Sequence, residues 1–167
     1  MAGKFYDELE PGQLIRHALG KTITEAEHIL FCAMTMNQQP LHINEDFASR
    51  TEYGQRLVNG LLTMSLVVGI SVADTTEGTI IANLGYENVR HPHPVFHGDT
   101  IYAETTVVAK RESRSRPNAG IVTLTHVGRN QRGEIVVEVT RSALFLKRPD
   151  PTAGDGSDAA SDGTSAS

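Results

Sequence analysis

Among the groups of this chain that can move a proton near neutral pH, His42 has the most informative surroundings, Asn37-Gln38-Gln39-Pro40-Leu41-His42-Ile43-Asn44. An imidazole with an ordinary pKa near 6.5 takes up a proton and returns it close to pH 7, which suits general acid–base work. By itself the residue fits a linker histidine that satisfies nearby backbone groups better than a catalytic one. His91, His93 and His97 invite a metal reading, because residues two apart on a strand face the same way. Pro92 and Pro94 break that geometry, and no further cysteine or carboxylate cluster completes a tetrahedral set, so no metal is expected. Cys32 falls on the apolar face of a predicted helix and is expected to be core.

The elements that must hold these groups are announced by local signals. Thr24-Glu25-Ala26-Glu27 is a capping box, in which the threonine hydroxyl serves an exposed N–H and Glu27 reaches back. A helix is predicted from there, with Ile29, Leu30, Cys32, Ala33 and Met36 as its apolar face, ending before Pro40. Asn44 then reads as the cap of a short helix, EDFASR, so His42 is placed in a tight link between two helices. From Gly60 to Ala73 the chain is uncharged and apolar nearly all round, which predicts a buried central helix rather than a surface one. Four β-rich runs follow, 79–89, 100–110, 120–129 and 134–146, with alternation clearest at Ile101, Ala103, Thr105 and Val107. Asn130 to Gly133 reads as a hairpin turn and Arg116 to Gly120 as a longer loop. With a first strand near Gln13 to Thr22, the expectation is an α+β domain, an antiparallel sheet around one buried helix.

With 167 residues the chain suits one domain and one core. The lone cysteine and the absence of an apolar leader or a run of about 18 apolar residues predict a cytoplasmic protein that neither spans nor anchors to a membrane. The formal charge of −5 is concentrated at the end, since Asp150, Asp155, Asp158 and Asp162 leave 16 acidic against 15 basic residues elsewhere. A body so nearly neutral offers no footprint for nucleic acid or an anionic membrane. The division expected is a domain over 1–148 and an acidic Ser, Gly, Ala and Asp tail over 149–167 with too few large apolar groups to order itself.

Asn37 to Asn44, together with Val58-Asn59-Gly60-Leu61 and Pro94-Val95-Phe96-His97-Gly98-Asp99-Thr100, resembles the MaoC-like dehydratases, the family of (R)-specific enoyl-CoA hydratases, over about residues 5–148. The resemblance implies a hot-dog fold, an acyl-CoA substrate, no cofactor beyond the CoA it carries, and a homodimer or a dimer-based larger assembly. The family signature begins with Asp where this chain has Asn37. An amide orients water but takes no proton, so proton transfer would rest on His42, with capping of the preceding helix as the other reading of Asn37. The substitution, with Lys110 to Arg116 and Pro117, is similar to the mesaconyl-CoA and itaconyl-CoA hydratase subgroup. A carboxylate on the acyl chain would repel a nearby Asp by on the order of a few kcal/mol at an effective dielectric of about 20, and Asn removes that penalty.

Hydration of a 2-enoyl thioester needs a base for water, a proton donor for the α-carbon, and stabilisation of the developing enolate oxygen. The resemblance assigns the first two to His42 and the third to the backbone N–H of Gly60, at the positive end of the buried helix. Asn59 and Leu61 flank that position as substrate-binding residues, and Arg90 and His91 are candidates for holding a substrate carboxylate, against a solvated strand end. The basic run Lys110 to Arg116 suits CoA phosphates or an exposed hairpin. A hot-dog thioesterase is the nearest rival, although such enzymes usually place Glu or Asp on the central helix and Leu61 to Ala73 has none. A non-catalytic acyl-CoA-binding or regulatory protein is the third reading.

Overall fold

A computed structural model describes residues 3–149. The predicted acidic tail from 150 onward lies outside the described residues. After a single 3₁₀ turn at Tyr6–Glu8 come β1 (Leu14–Thr22), α1 (Glu25–Met34), α2 (Pro40–Ile43), α3 (Glu45–Ser49), α4 (Gly60–Thr75), β2 (Ile80–Arg90), β3 (Thr100–Glu112), β4 (Ala119–Arg129) and β5 (Ile135–Leu146). The strands form one antiparallel sheet in the order β1-β3-β4-β5-β2. Only β3, β4 and β5 are joined as hairpin neighbours. The strand that follows α4 crosses to the far edge beside β5, a long-range choice that no local pattern encodes.

The sheet takes α4 against β1, β3, β4 and β5. The helix can sit close because Gly128 leaves a gap in β4: a Cβ there would run into the side chain of Val67 and come within 2.8 Å of Val137. Its inward stripe is Thr63, Val67, Ser71 and Thr75, one residue per turn, while Leu62, Met64, Leu66 and Ile70 pack on either side. The helix is not covered all round, since Leu61 is 59% exposed. Uncharged sequence predicted full burial, but the sheet wraps one side only.

Two apolar clusters fill the interior. One, with Val58, Val67, Val95, Ile101, Val136 and Val137, lies under the first half of α4. The other, with Tyr6, Leu9, Val107, Leu124 and Phe145, lies beneath the N-terminal turn. Between them the inward positions of the strands are polar. Asp74 accepts from His17 at 2.8 Å, the Thr105 hydroxyl bridges His17 and His126 at 2.7 Å to each, and Arg141 lies buried beside His126.

The capping box of α1 is formed in both directions, with Glu27 N–H on the Thr24 hydroxyl at 3.3 Å and Thr24 N–H on Glu27 at 3.0 Å. The buried face of α1 differs from the apolar one its spacing predicts. Cys32 is buried as expected, but it shares the inward face with His28, while Leu30 is 60% and Met36 81% exposed. A polar partner on the segment before α4 selects that face, as the site geometry shows.

Candidate active site

The chain between α1 and α3 is folded to present His42. Met36 takes a left-handed conformation (φ 56°), after which Asn37 N–H returns to the Cys32 carbonyl at 2.9 Å. The Asn37 side chain accepts from Gln39 N–H at 3.2 Å, and Pro40, whose fixed φ suits a first helical position, opens the one-turn helix α2. Asn44 closes α2 and caps α3 by accepting from Phe47 N–H at 3.0 Å. His42 therefore rides on a turn of helix of its own rather than in an irregular link. Its Nδ1 lies 2.9 Å from the Leu57 carbonyl, and Leu57 N–H donates back to Leu41 at 3.1 Å. A carbonyl only accepts, so in the neutral ring the hydrogen sits on Nδ1 and Nε2 keeps its lone pair, the arrangement of a general base.

The same segment leads into α4. Asn59 caps the helix, its side chain accepting from Leu61 N–H at 2.9 Å and its carbonyl from Leu62 and Thr63. Gly60 N–H takes no partner among the described residues, and it stands at the end of the helix that favours negative charge. The His91 ring lies directly against Gly60; a Cβ at position 60 would fall 2.9 to 3.2 Å from three of its atoms. His42, Gly60, Thr63, His91, His93 and Val136 all line one cavity of about 360 Å³, closed further by Tyr53 and Val95.

Behind the cavity is a second pair of imidazoles. His28 is fully buried and accepts from Asn59 N–H at 2.9 Å, which leaves its other nitrogen to donate to His97 Nε2 at 2.7 Å. Its ring meets that of His42 edge-on, with centroids 5.7 Å apart. Burial, then the neighbouring His97, His42 and Arg56, pushes the His28 pKa down to about 4, so the ring stays neutral. His97 is lowered too, by burial and by Arg56, which bridges Glu25 and Glu45. Phe96 to Thr100 is held by Asp99, whose carboxylate accepts from Phe96 N–H at 3.0 Å, Gln131 at 2.7 Å and Arg132 at 3.0 Å. Burial opposes ionisation of Asp99, but these donors keep its carboxyl below the usual range.

Of the residues singled out from sequence, His42, Gly60 and His91 meet in the cavity, with Asn59 buried just behind as the cap. Asn37 is half-buried, its side chain engaged in the turn before Pro40 and not part of the cavity wall. Leu61 faces outward, and Arg90 ends β2 exposed and outside the lining. The three clustered histidines diverge: His91 onto Gly60, His93 onto the Ile135 carbonyl at 2.9 Å, and His97 onto His28. Arg111 and Arg114 lie at the far end of β3, beside Ser113, Ser115 and Ile121, and are not among the residues that line the cavity. His28 and Thr63 were not legible as site residues. The four-residue spacing of His28 and Cys32 puts them on one helix face, and a cysteine is commonly buried, which was the available signal.

A MaoC-like domain family model matches residues 7–140. The chain belongs to the MaoC-like family. This MaoC-like chain is 35% identical to a mesaconyl-CoA hydratase of Cereibacter sphaeroides over 96% of its own length and 49% of that relative's. A solved Chloroflexus aurantiacus structure, described as a MaoC domain dehydratase, superimposes with a TM-score of 0.83 at 31% identity, over 96% of this chain and 45% of the other. A Mycobacterium tuberculosis protein described as a double hot-dog fold matches with a TM-score of 0.79 at 24% identity, over 96% and 53% of the respective chains, and shows the fold. The MaoC-like chain is thus one hot-dog unit, spanning about half the length of these relatives.

Proposed function

We propose that this chain catalyses the reversible hydration of a short 2-enoyl-CoA thioester to the 3-hydroxyacyl-CoA, with a branched or dicarboxylic acyl group of the mesaconyl-CoA or itaconyl-CoA type. The observation that carries it is the convergence of a free imidazole nitrogen on His42 and a free N–H on Gly60 upon one cavity. With the thioester oxygen on Gly60 N–H, His42 Nε2 takes a proton from water as the water adds to C3. The enolate oxygen that develops is stabilised by Gly60 N–H and the end of α4, and the proton held on His42 is returned to C2. Asn37 orients that water by its amide if its turn opens toward the substrate. No cofactor takes part beyond the CoA of the substrate.

The working unit is a homodimer or an assembly of such dimers. Relatives twice as long carry room for two units, and β2 leaves an edge on which Leu84 and Tyr86 are exposed. Pairing there hides an open strand edge. No helix among the described residues is long and apolar enough to cross a membrane, and a cytoplasmic location is proposed from the lone cysteine.

The rival thioesterase reading needs a carboxylate on the helix facing the thioester. α4 runs two residues further than its sequence implied and includes Asp74, but that group bonds His17 beside the middle of the sheet. Turnover of mesaconyl-CoA, itaconyl-CoA and crotonyl-CoA by wild type and His42→Ala tests the proposal. Hydration that falls by about a thousandfold or more in the variant supports it. Release of free CoA supports a thioesterase, and binding without turnover supports the non-catalytic reading.

A further inference from the structure

The buried stripe of α4 contains three hydroxyl side chains, and two of them behave as helical hydroxyls commonly do. Ser71 donates to the Val68 carbonyl at 2.7 Å and Thr75 to the Ser71 carbonyl at 2.6 Å. Thr35, at the end of α1, does the same with Phe31 at 2.8 Å. Thr63 departs from the pattern. It is 1% exposed, its Oγ1 has no partner among the described residues, and the residue forms part of the cavity wall one helical turn beyond Gly60. A buried hydroxyl left without a partner costs stability, and the cavity beside it is where a partner could stand.

The rest of the lining says what that group is. His42, His91 and His93 contribute imidazoles, Gly60 an N–H and Tyr53 a phenol, while no Asp or Glu takes part. His93 is anchored through Nδ1 to the Ile135 carbonyl, which leaves Nε2 free. Val58, Val95 and Val136 form the apolar part of the wall. Such a cavity accommodates a short carbon skeleton and offers its polar end the Thr63 hydroxyl and the Tyr53 phenol as donors, while the neutral His42 and His93 rings, with Nδ1–H on a carbonyl, turn an accepting Nε2 to it. A carboxylate, which only accepts, pairs with the Thr63 hydroxyl and meets no Asp or Glu in the wall, whereas a plain hydrocarbon chain leaves that hydroxyl unpaired.

We infer that Thr63 is the specificity-determining residue that selects an acyl group bearing a carboxylate, by donating its hydroxyl to that carboxylate. The inference rests on the proposed reading of the cavity as an acyl-CoA site. Thr63→Val keeps the side-chain shape and deletes the hydroxyl; Thr63→Ser keeps the hydroxyl. Turnover and calorimetric binding are measured with mesaconyl-CoA and crotonyl-CoA for all three proteins, with melting temperatures to confirm folding. The expected result is that the mesaconyl-CoA to crotonyl-CoA ratio of kcat/KM, and of affinity, falls about 10- to 100-fold in Thr63→Val and recovers in Thr63→Ser. An unchanged ratio overturns the inference, as does a loss shared equally by both substrates, which would place the hydroxyl on the common thioester. Wild-type hydration of crotonyl-CoA alone also overturns it while leaving hydration standing. Binding of both compounds without turnover removes the hydratase reading, and the affinity ratio then decides Thr63. Binding of neither overturns both.

Discussion

Gly60→Ala separates folding from activity at the point where the two meet. Alanine is a better helix former than glycine by roughly 1 kcal/mol in a helix interior and by less at the first position of α4, where Gly60 stands with no left-handed backbone to protect. Against that gain, the new Cβ falls 2.9 Å from His91 Cε1, 3.0 Å from Nε2 and 3.2 Å from Nδ1. His91 is exposed, so its ring can swing away at a cost of about 0.5–1.5 kcal/mol in rotamer energy, and the two effects nearly cancel. Melting temperature should therefore stay close to wild type. Activity should not. The methyl group occupies the side of the helix end that His91 faces, where the proposed mechanism brings the thioester oxygen to the Gly60 N–H. Losing one such donor costs about 3–4 kcal/mol of barrier, or roughly 10²–10³ in kcat. Steady-state hydration of crotonyl-CoA, followed by loss of the enoyl thioester absorbance, measures this, with the double variant Gly60→Ala/His91→Ala beside it. If the methyl blocks substrate, removing the ring restores little. A single variant within about threefold of wild type would refute the placing of the thioester at Gly60, and full recovery in the double variant would show that only the imidazole was displaced.

Acid should weaken the fold through its buried histidines. His28 is held down to about 4 by burial and then by His97, His42 and Arg56, and His126 to about 3 by burial and then by Arg141 and His17. Between these values and the unfolded value near 6.5 the unfolded chain binds protons that the folded chain refuses, so stability drops as pH falls through that window and is flat above it. Urea denaturation at pH 7.5 and pH 5 should differ by on the order of a few kcal/mol, and His28→Leu should shrink the difference while lowering kcat through the loosened Asn59 turn. Gly128→Ala forces a methyl group onto Val67 and Val137 in the filled interior and should cost about 1–3 kcal/mol by chemical denaturation, with no loss if α4 can shift freely.

What could be read from sequence and what could not divide along the range of the forces involved. The Thr24 box, the Asn44 cap, the start of α4 at Gly60 and the turn at Gly133 act within a few residues, and each stands where its local pattern puts it. The strands lie within a residue or two of their predicted limits, because alternation reports a half-buried surface wherever the neighbours are. The edge position of β2 and the inward turn of His28 depend on partners 30 or more residues away, whereas the burial of Cys32 was expected from its place on the apolar face. Apolar periodicity misled on α1 because Asn59 N–H offered His28 a buried hydrogen bond, and no count of apolar positions registers a backbone donor. His42 was legible through its neighbours in sequence, whereas Thr63 becomes informative only once the hydroxyls of Ser71 and Thr75 are seen bonded and its own is not.

The hydrogen-bonded layer of Asp74, His17, Thr105 and His126 has a bearing on how such a protein can change over time. Apolar packing spreads the effect of each volume change to every side chain it touches, whereas a row of directed hydrogen bonds is specified by its own partners. By dividing the interior, the layer makes the half beneath Gly60 and Val136 a separate compartment for mutation. If the proposed reading holds, new ligand shapes are accommodated there by exchanging a few valines, while the half beneath Tyr6 and Phe145 continues to hold the domain together. One scaffold could on this basis acquire a series of substrates without rebuilding its foundation each time.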